Sequence, residues 1–219
     1  MTNNWIEKIN TEKVRDTIWA ALLFCVLLFV DQITKAWADA YFSAQPHGSS
    51  ITVIPDWVYL CITYNKGISY GLGKNAPEWI KIAVIIGTGV MMCILAVVYF
   101  KMDKSRDVIR IAIIFVIAGG VGNLIDRVYY RVWDPNMPWN CGVRDMVDLN
   151  SIGFAVCNFA DFFISGGAVA LVSAFMFFDK DAIFPLGKYK EMAEDALEDE
   201  KEGLQDNGQD ETPRLPKIE

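Results

Sequence analysis

Apolar positions along the chain are gathered into four blocks, roughly 17–37, 78–100, 108–125 and 154–178, rather than spread at the spacing of a one-sided surface helix. Each block is near the ~20 residues that cross a hydrocarbon core as helix, because in lipid the backbone must satisfy its own hydrogen bonds. The pattern predicts an all-α membrane protein with four transmembrane helices at about 17–37, 78–100, 108–127 and 154–178. Basic residues precede the first block (Lys8, Lys13, Arg15) and fill the link between the second and third (Lys101, Lys104, Arg106, Arg110), so both termini are expected in the cytoplasm. The expected organisation is a cytoplasmic segment 1–16, a membrane unit 17–178 with outer loops 38–77 and 128–153, and a cytoplasmic tail 179–219.

In the first outer loop, Ser50–Ile54 and Trp57–Tyr64 are β-branched and aromatic with partial alternation, and Pro55-Asp56 lies between them. They predict a small extracytoplasmic β-hairpin. Asn65-Lys66-Gly67-Ile68-Ser69-Tyr70-Gly71 then reads as a backbone-rich turn, either an ordinary polar turn or one presenting amides to a peptide.

Composition sharpens this picture at two points. Of 219 residues 53% are hydrophobic, and the formal charge of −7 is local: Glu191–Glu219 holds 11 acidic and 3 basic residues, leaving 16 acidic and 17 basic elsewhere (27 − 11 and 20 − 3). The acidity therefore belongs to the tail, which is expected to be disordered and solvating. The five cysteines show no CxxC spacing, and a pairing of Cys61 with Cys141 is conceivable only if their loops meet. His47 is the sole histidine, so neither HExxH nor a Ser/His or Cys/His set is in place.

With four spans beginning inside, the odd helices end outside and the even helices begin there. Asp31, Lys35, Asn65, Asn123, Asp126, Arg127, Asp148, Asn158 and Asp161 consequently fall at one membrane face. Asp31 and Lys35 share a helix face at i,i+4, as do Asn123, Asp126 and Arg127 at i, i+3 and i+4. Carboxylates at the edge of lipid are costly unless paired or solvated. Three uses are open on spacing alone: ion pairs that hold helices together, an ion or proton pathway of a coupled transporter, or two aspartates sharing a proton to hydrolyse an amide.

The words Asp31-Gln32-x-x-Lys35, Asn65-x-Gly67, Gly122-Asn123-x-x-Asp126-Arg127, Val147-Asp148 and Asn158-x-Ala160-Asp161 stand in an order and placement that resemble lipoprotein signal peptidase (signal peptidase II). The resemblance implies an aspartic endopeptidase of the bacterial cytoplasmic (inner) membrane. It would cut the signal peptide from diacylglyceryl-modified prolipoproteins just before the lipidated cysteine, with its active site at the outer face. It implies catalytic Asp148 and Asp161, with Asp145 the competing choice for the first. Asn65, Gly67, Asn123, Arg127 and Asn158 would line the substrate site, and Asp31, Lys35 and Asp126 would support it. No cofactor or metal is expected, and the partners expected are the lipid-modified precursor and membrane lipid, without nucleic acid, acting on a monomer. The chain departs from the family pattern at Ile68-Ser69-Tyr70, Leu149 and Cys157, and its loop between Arg127 and Asp148 is longer.

Overall fold

The computed structural model describes residues 3–67, 76–179, 181–195 and 197–198, with side chains from residue 14 onward. Ile68–Gly71 of the predicted turn and residues 199–219 of the acidic tail lie outside the described residues. Four long helices form: α1 (Asn3–Ser43), α2 (Glu78–Lys101), α3 (Asp107–Tyr129) and α4 (Phe159–Phe177). All four carry stretches long and apolar enough to cross a membrane, that of α1 being Val14–Ser43.

Two helix ends differ from the hydrophobic pattern for local reasons. α1 continues past Trp37 to Ser43, since the first breakers are Pro46 and Gly48. α4 begins only at Phe159, because Asn158 caps it: the Asn158 side chain accepts from the Asp161 backbone N–H, and the Asp161 carboxylate accepts from the Asn158 backbone N–H. That reciprocal box satisfies two of the orphan donors of the first turn.

The other three helices pack around α3, and half of its most apolar stretch is buried inside the protein. Its buried positions include Ile109, Ala112, Ile113, Ala118, Gly119, Gly122, Asn123 and Asp126. Small residues bring α4 to near backbone contact: a methyl group on Gly119 would collide with the Ala160 carbonyl oxygen, and one on Gly167 would lie 2.8 Å from the Ala112 carbonyl. Leu27, Tyr99, Ile109, Ile113, Ile114, Ala118 and Ala174 form the apolar core toward the other end. Large apolar side chains such as Leu22, Val26, Phe29, Ile86, Val90, Val97, Val169 and Val172 face outward, as a bilayer requires.

The predicted hairpin exists as β1 (Ile51–Ile54) and β2 (Val58–Asn65), but it is part of a three-stranded antiparallel sheet. The third strand, β3 (Val143–Asp148), pairs with β2 through Tyr59↔Asp148, Leu60↔Val147, Thr63↔Asp145 and Asn65↔Val143, with a bulge in β2 between Leu60 and Thr63. Cys157 holds the other edge of β3 at Val147. The sheet seats on the C-terminal end of α1 through Ala38, Phe42, Ile62, Met146, Val147 and Cys157. Cys61 and Cys141 are separate thiols.

Candidate active site

β3 carries the decisive geometry, because successive strand residues point to opposite faces and residues three apart therefore diverge. Asp145 is buried and accepts from the Asn158 amide at 2.6 Å and from the Asn65 amide at 3.3 Å. Asp148, on the opposite face and half-buried, accepts instead from the Asn150 backbone and side chain at 2.9 and 2.6 Å. Its carboxylate lines an outer pocket of about 500 Å³ with Phe42, Cys61, Tyr64 and Trp139. Where the resemblance implies Asp148 beside Asp161, the structure instead links Asp145 to Asp161 through Asn158, and the strand's two-residue period is the reason.

Asp161 sits in the first turn of α4 and accepts on both oxygens, from the Asn123 amide at 2.8 Å and from the Asn158 backbone N–H at 3.1 Å. Asn158 joins the two acids: its amide nitrogen donates to Asp145 and, at 3.1 Å, to the Asn123 oxygen, while its own oxygen caps Asp161. Asn65 is held in turn by the Gly67 backbone N–H, which donates to its oxygen at 2.8 Å. The Arg127 guanidinium lies within electrostatic reach of Asp161, Asp145 and Asp126.

Behind this pair is a buried ionic layer. Lys35 is fully buried and donates to Asp31 at 2.9 Å and to the Asn123 oxygen at 2.9 Å, with Asp126 at 3.6 Å. Asp31 also accepts from the Ala160 backbone N–H at 2.9 Å, which ties α1 to the start of α4. Two members of this layer were not singled out by the sequence. Arg144 closes on Asp126 at 2.7 Å, and Gln32 bridges Asp31, the Gly122 carbonyl and Arg144. The signal for Arg144 was its place beside Asp145 in Val143-Arg144-Asp145, where alternation sends neighbouring charges to opposite sides of one strand. An ion pair stripped of water must satisfy its remaining donors and acceptors to be tolerated, and here each cation has more than one acceptor.

Burial pushes the Asp145 carboxyl up to about 7, and the negative charge of Asp161 adds to the rise. The Asn158 and Asn65 hydrogen bonds and the Lys35 charge act the other way. Burial likewise pushes the Cys157 thiol up to about 12, with Asp161 and Asp145 contributing, so this cysteine beside the acids is no thiolate nucleophile. An acid poised near neutrality next to a second carboxylate is the arrangement that holds one proton between two groups.

Four membrane-crossing helices with a carboxylate pair at one end, Asp145 buried and Asp161 half-buried, under a small sheet, define a multi-pass membrane enzyme of the acid-pair hydrolase type. Residues 23–177 match the family Peptidase_A8, described as Signal peptidase (SPase) II. The chain belongs to the signal peptidase II family. It is 28% identical over 170 residues to a lipoprotein signal peptidase of Fusobacterium nucleatum subsp. nucleatum, covering 77% of this chain and 92% of that protein. It is 35% identical over 157 residues to one of Bifidobacterium longum, covering 69% and 76%. Among solved structures, a bacterial membrane enzyme determined by the in meso method at 2.3 Å superposes with a TM-score of 0.57 at 25% identity, covering 72% of this chain and 87% of that one. These relationships lend no support to the transporter reading.

Proposed function

We propose that Asp145 and Asp161 are the catalytic pair of an aspartic endopeptidase that removes the signal peptide of diacylglyceryl-modified bacterial prolipoproteins just before the lipidated cysteine. The observation that carries this assignment is Asn158, whose one side chain and backbone reach both acids. Asp161, accepting on both oxygens, is disposed to act as the carboxylate that takes a proton from an attacking water. Asp145 holds the proton, polarises the scissile carbonyl and then supplies the leaving amine. Arg127 supplies positive charge toward the oxyanion as it develops, and Asn65, Gly67, Asn123 and Asn158 shape the walls on which the peptide lies.

The site belongs at the outer face of the cytoplasmic membrane. The ends of α1 and α3 and the starts of α2 and α4 meet there, whereas the opposite ends carry Lys101, Lys104, Arg106 and Arg110. Membrane lipid is the surrounding partner, and since one chain supplies every group above, a monomer suffices.

A gel-shift cleavage assay with purified protein and a diacylated precursor tests the assignment. Asp145→Asn and Asp161→Asn should each lose more than roughly 10³-fold in kcat/KM, whereas Asp148→Asn should stay within about fivefold. Cleavage by Asp145→Asn together with an inert Asp148→Asn would return the role to Asp148.

A further inference from the structure

The side chain that sets the direction of the hydrogen bonds at the acid pair is Lys35, which touches neither acid. An ammonium has three donors and no acceptor, so wherever it points an oxygen must answer. Lys35 points at Asn123, and that contact fixes the amide: the Asn123 oxygen faces Lys35 and the Asn123 nitrogen must face Asp161. The same oxygen takes the Asn158 amide N–H, and Asn158 is itself fixed nitrogen-first because its oxygen caps the Asp161 backbone N–H. Two donors, the Lys35 ammonium and the Asn158 amide, thereby hold the Asn123 oxygen away from Asp161, and only the ammonium adds a positive charge.

We propose that Lys35 is a positioning residue that makes the acid pair asymmetric: by fixing Asn123 as a donor to Asp161 it assigns Asp161 the carboxylate role and leaves the shared proton on Asp145. This rests on the pair named above. Without Lys35, the Asn123 oxygen keeps only the Asn158 amide as donor; Asn123 is then held as a donor to Asp161 less firmly, and the shared proton is drawn from Asp145 toward Asp161.

The charges around this relay come from every packed element. Lys35 faces Asp31 on its own helix and Asp126 on α3; Asp126 is also held by Arg144 of β3; and the acids feel Lys35 from α1 and Arg127 from α3. Asp126 keeps Arg144 when Lys35 is lost, whereas Asp31 is left as a buried charge beside Gln32 and the Ala160 N–H. Neutralising Asp31 together with Lys35 therefore removes the relay without stranding that carboxylate.

The test compares Lys35→Met with the double variant Lys35→Met/Asp31→Asn, each assayed for kcat, KM and the pH dependence of kcat/KM on a diacylated precursor. The double variant keeps the test decisive where the single one, with Asp31 stranded, does not fold. Both should lose kcat about a hundredfold with KM changed less than about threefold. The pH at which activity falls on the alkaline side should rise by roughly one unit in both, because Asp161 loses a firmly held donor and the pair keeps its proton more tightly. In the double variant the Asp31 charge leaves with the Lys35 charge, so the shift there reports the relay and not the field. A purely structural lysine would lower the amount of folded enzyme and leave that limb in place. An unmoved limb in the double variant, at whatever activity, overturns the proposal. Loss of Asp145 as a required residue would instead overturn the catalytic assignment beneath it.

Discussion

At the scale of single residues, the site is governed by where one proton resides. Asp145 is buried, its carboxyl is pushed up to about 7 by that burial and by the charge of Asp161, and it is joined to Asp161 through Asn158. A chemistry that needs this proton must fade as pH rises through about 7, so kcat/KM should show an alkaline limb there, reported as a macroscopic property of the pair. Activity that stays level from neutral to strongly alkaline pH would contradict it. The same shift has a thermodynamic face. A carboxyl whose folded value is raised gives up its proton more readily when unfolded. Stability therefore falls as pH rises from the usual carboxylate range toward about 7, and the full cost is present above that. Asp145→Asn removes the ionisation, so its melting temperature in detergent should exceed that of the wild type at pH 8, with the gap closing on acidification to pH 4. An equal gap at both values would mean that Asp145 does not carry the shifted proton.

At the scale of elements, the helices were legible and the strand that matters most was not. Long apolar runs of near-membrane length announce themselves, and each of the four predicted spans has its helix, the fourth only from Phe159 onward. β3 has six residues, three of them charged, in Val143-Arg144-Asp145-Met146-Val147-Asp148, so no hydrophobic alternation marks it as strand. Its pairing partners, Tyr59 to Asn65, lie some 80 residues earlier, and Cys157 closes the other edge from beyond. Without knowing that those six residues are extended, the two-residue period that separates Asp145 from Asp148 cannot be applied, and the sequence alone does not tell which of the two acids Asn158 joins to Asp161. Asn158 and Asp161 stand three apart at the head of an apolar run, the spacing of a capping box, and that local signal explains why α4 starts at Phe159 although the hydrophobic pattern alone predicts a start near residue 154.

The helix contacts carry their own prediction. Gly119 has no room for a side chain against α4, whereas a methyl group on Gly166 would meet nothing within 4 Å. Gly119→Val should therefore force α3 and α4 apart and lower stability by roughly 2–4 kcal/mol. It should also reduce activity through the displaced Asn123 and Asn158. Gly166→Ala should be neutral or stabilise by up to about 1 kcal/mol, through its higher helix propensity. Thermal unfolding of the two variants in the same detergent decides, and a Gly119→Val protein as stable as wild type would show that the close approach is dispensable.

At the scale of the whole molecule, the distribution of charge has one outcome: polar groups are sorted by end. Asp31, Lys35, Asn123, Asp126, Arg144, Asp145, Asn158 and Asp161 form one connected network at the end that carries the sheet. At the other end, Arg106 pairs with Asp179 and Asp181, and Lys104 pairs with Asp16, binding the helix termini together with exposed cations beside them. Under the positive-inside rule such sorting carries a prediction about orientation, the basic end being the one expected inside. It predicts that an exposed position on the sheet and one at the foot of α2 lie in different compartments. In a background with Cys61 and Cys141 changed to serine, a cysteine placed at Trp57 should react with a membrane-impermeant maleimide in intact spheroplasts. One placed at Lys101 should react only after lysis. Both positions are exposed in the structure, so equal reactivity before lysis could not be ascribed to burial. It would place both ends of the bundle on one side and remove the basis for an outward-facing site.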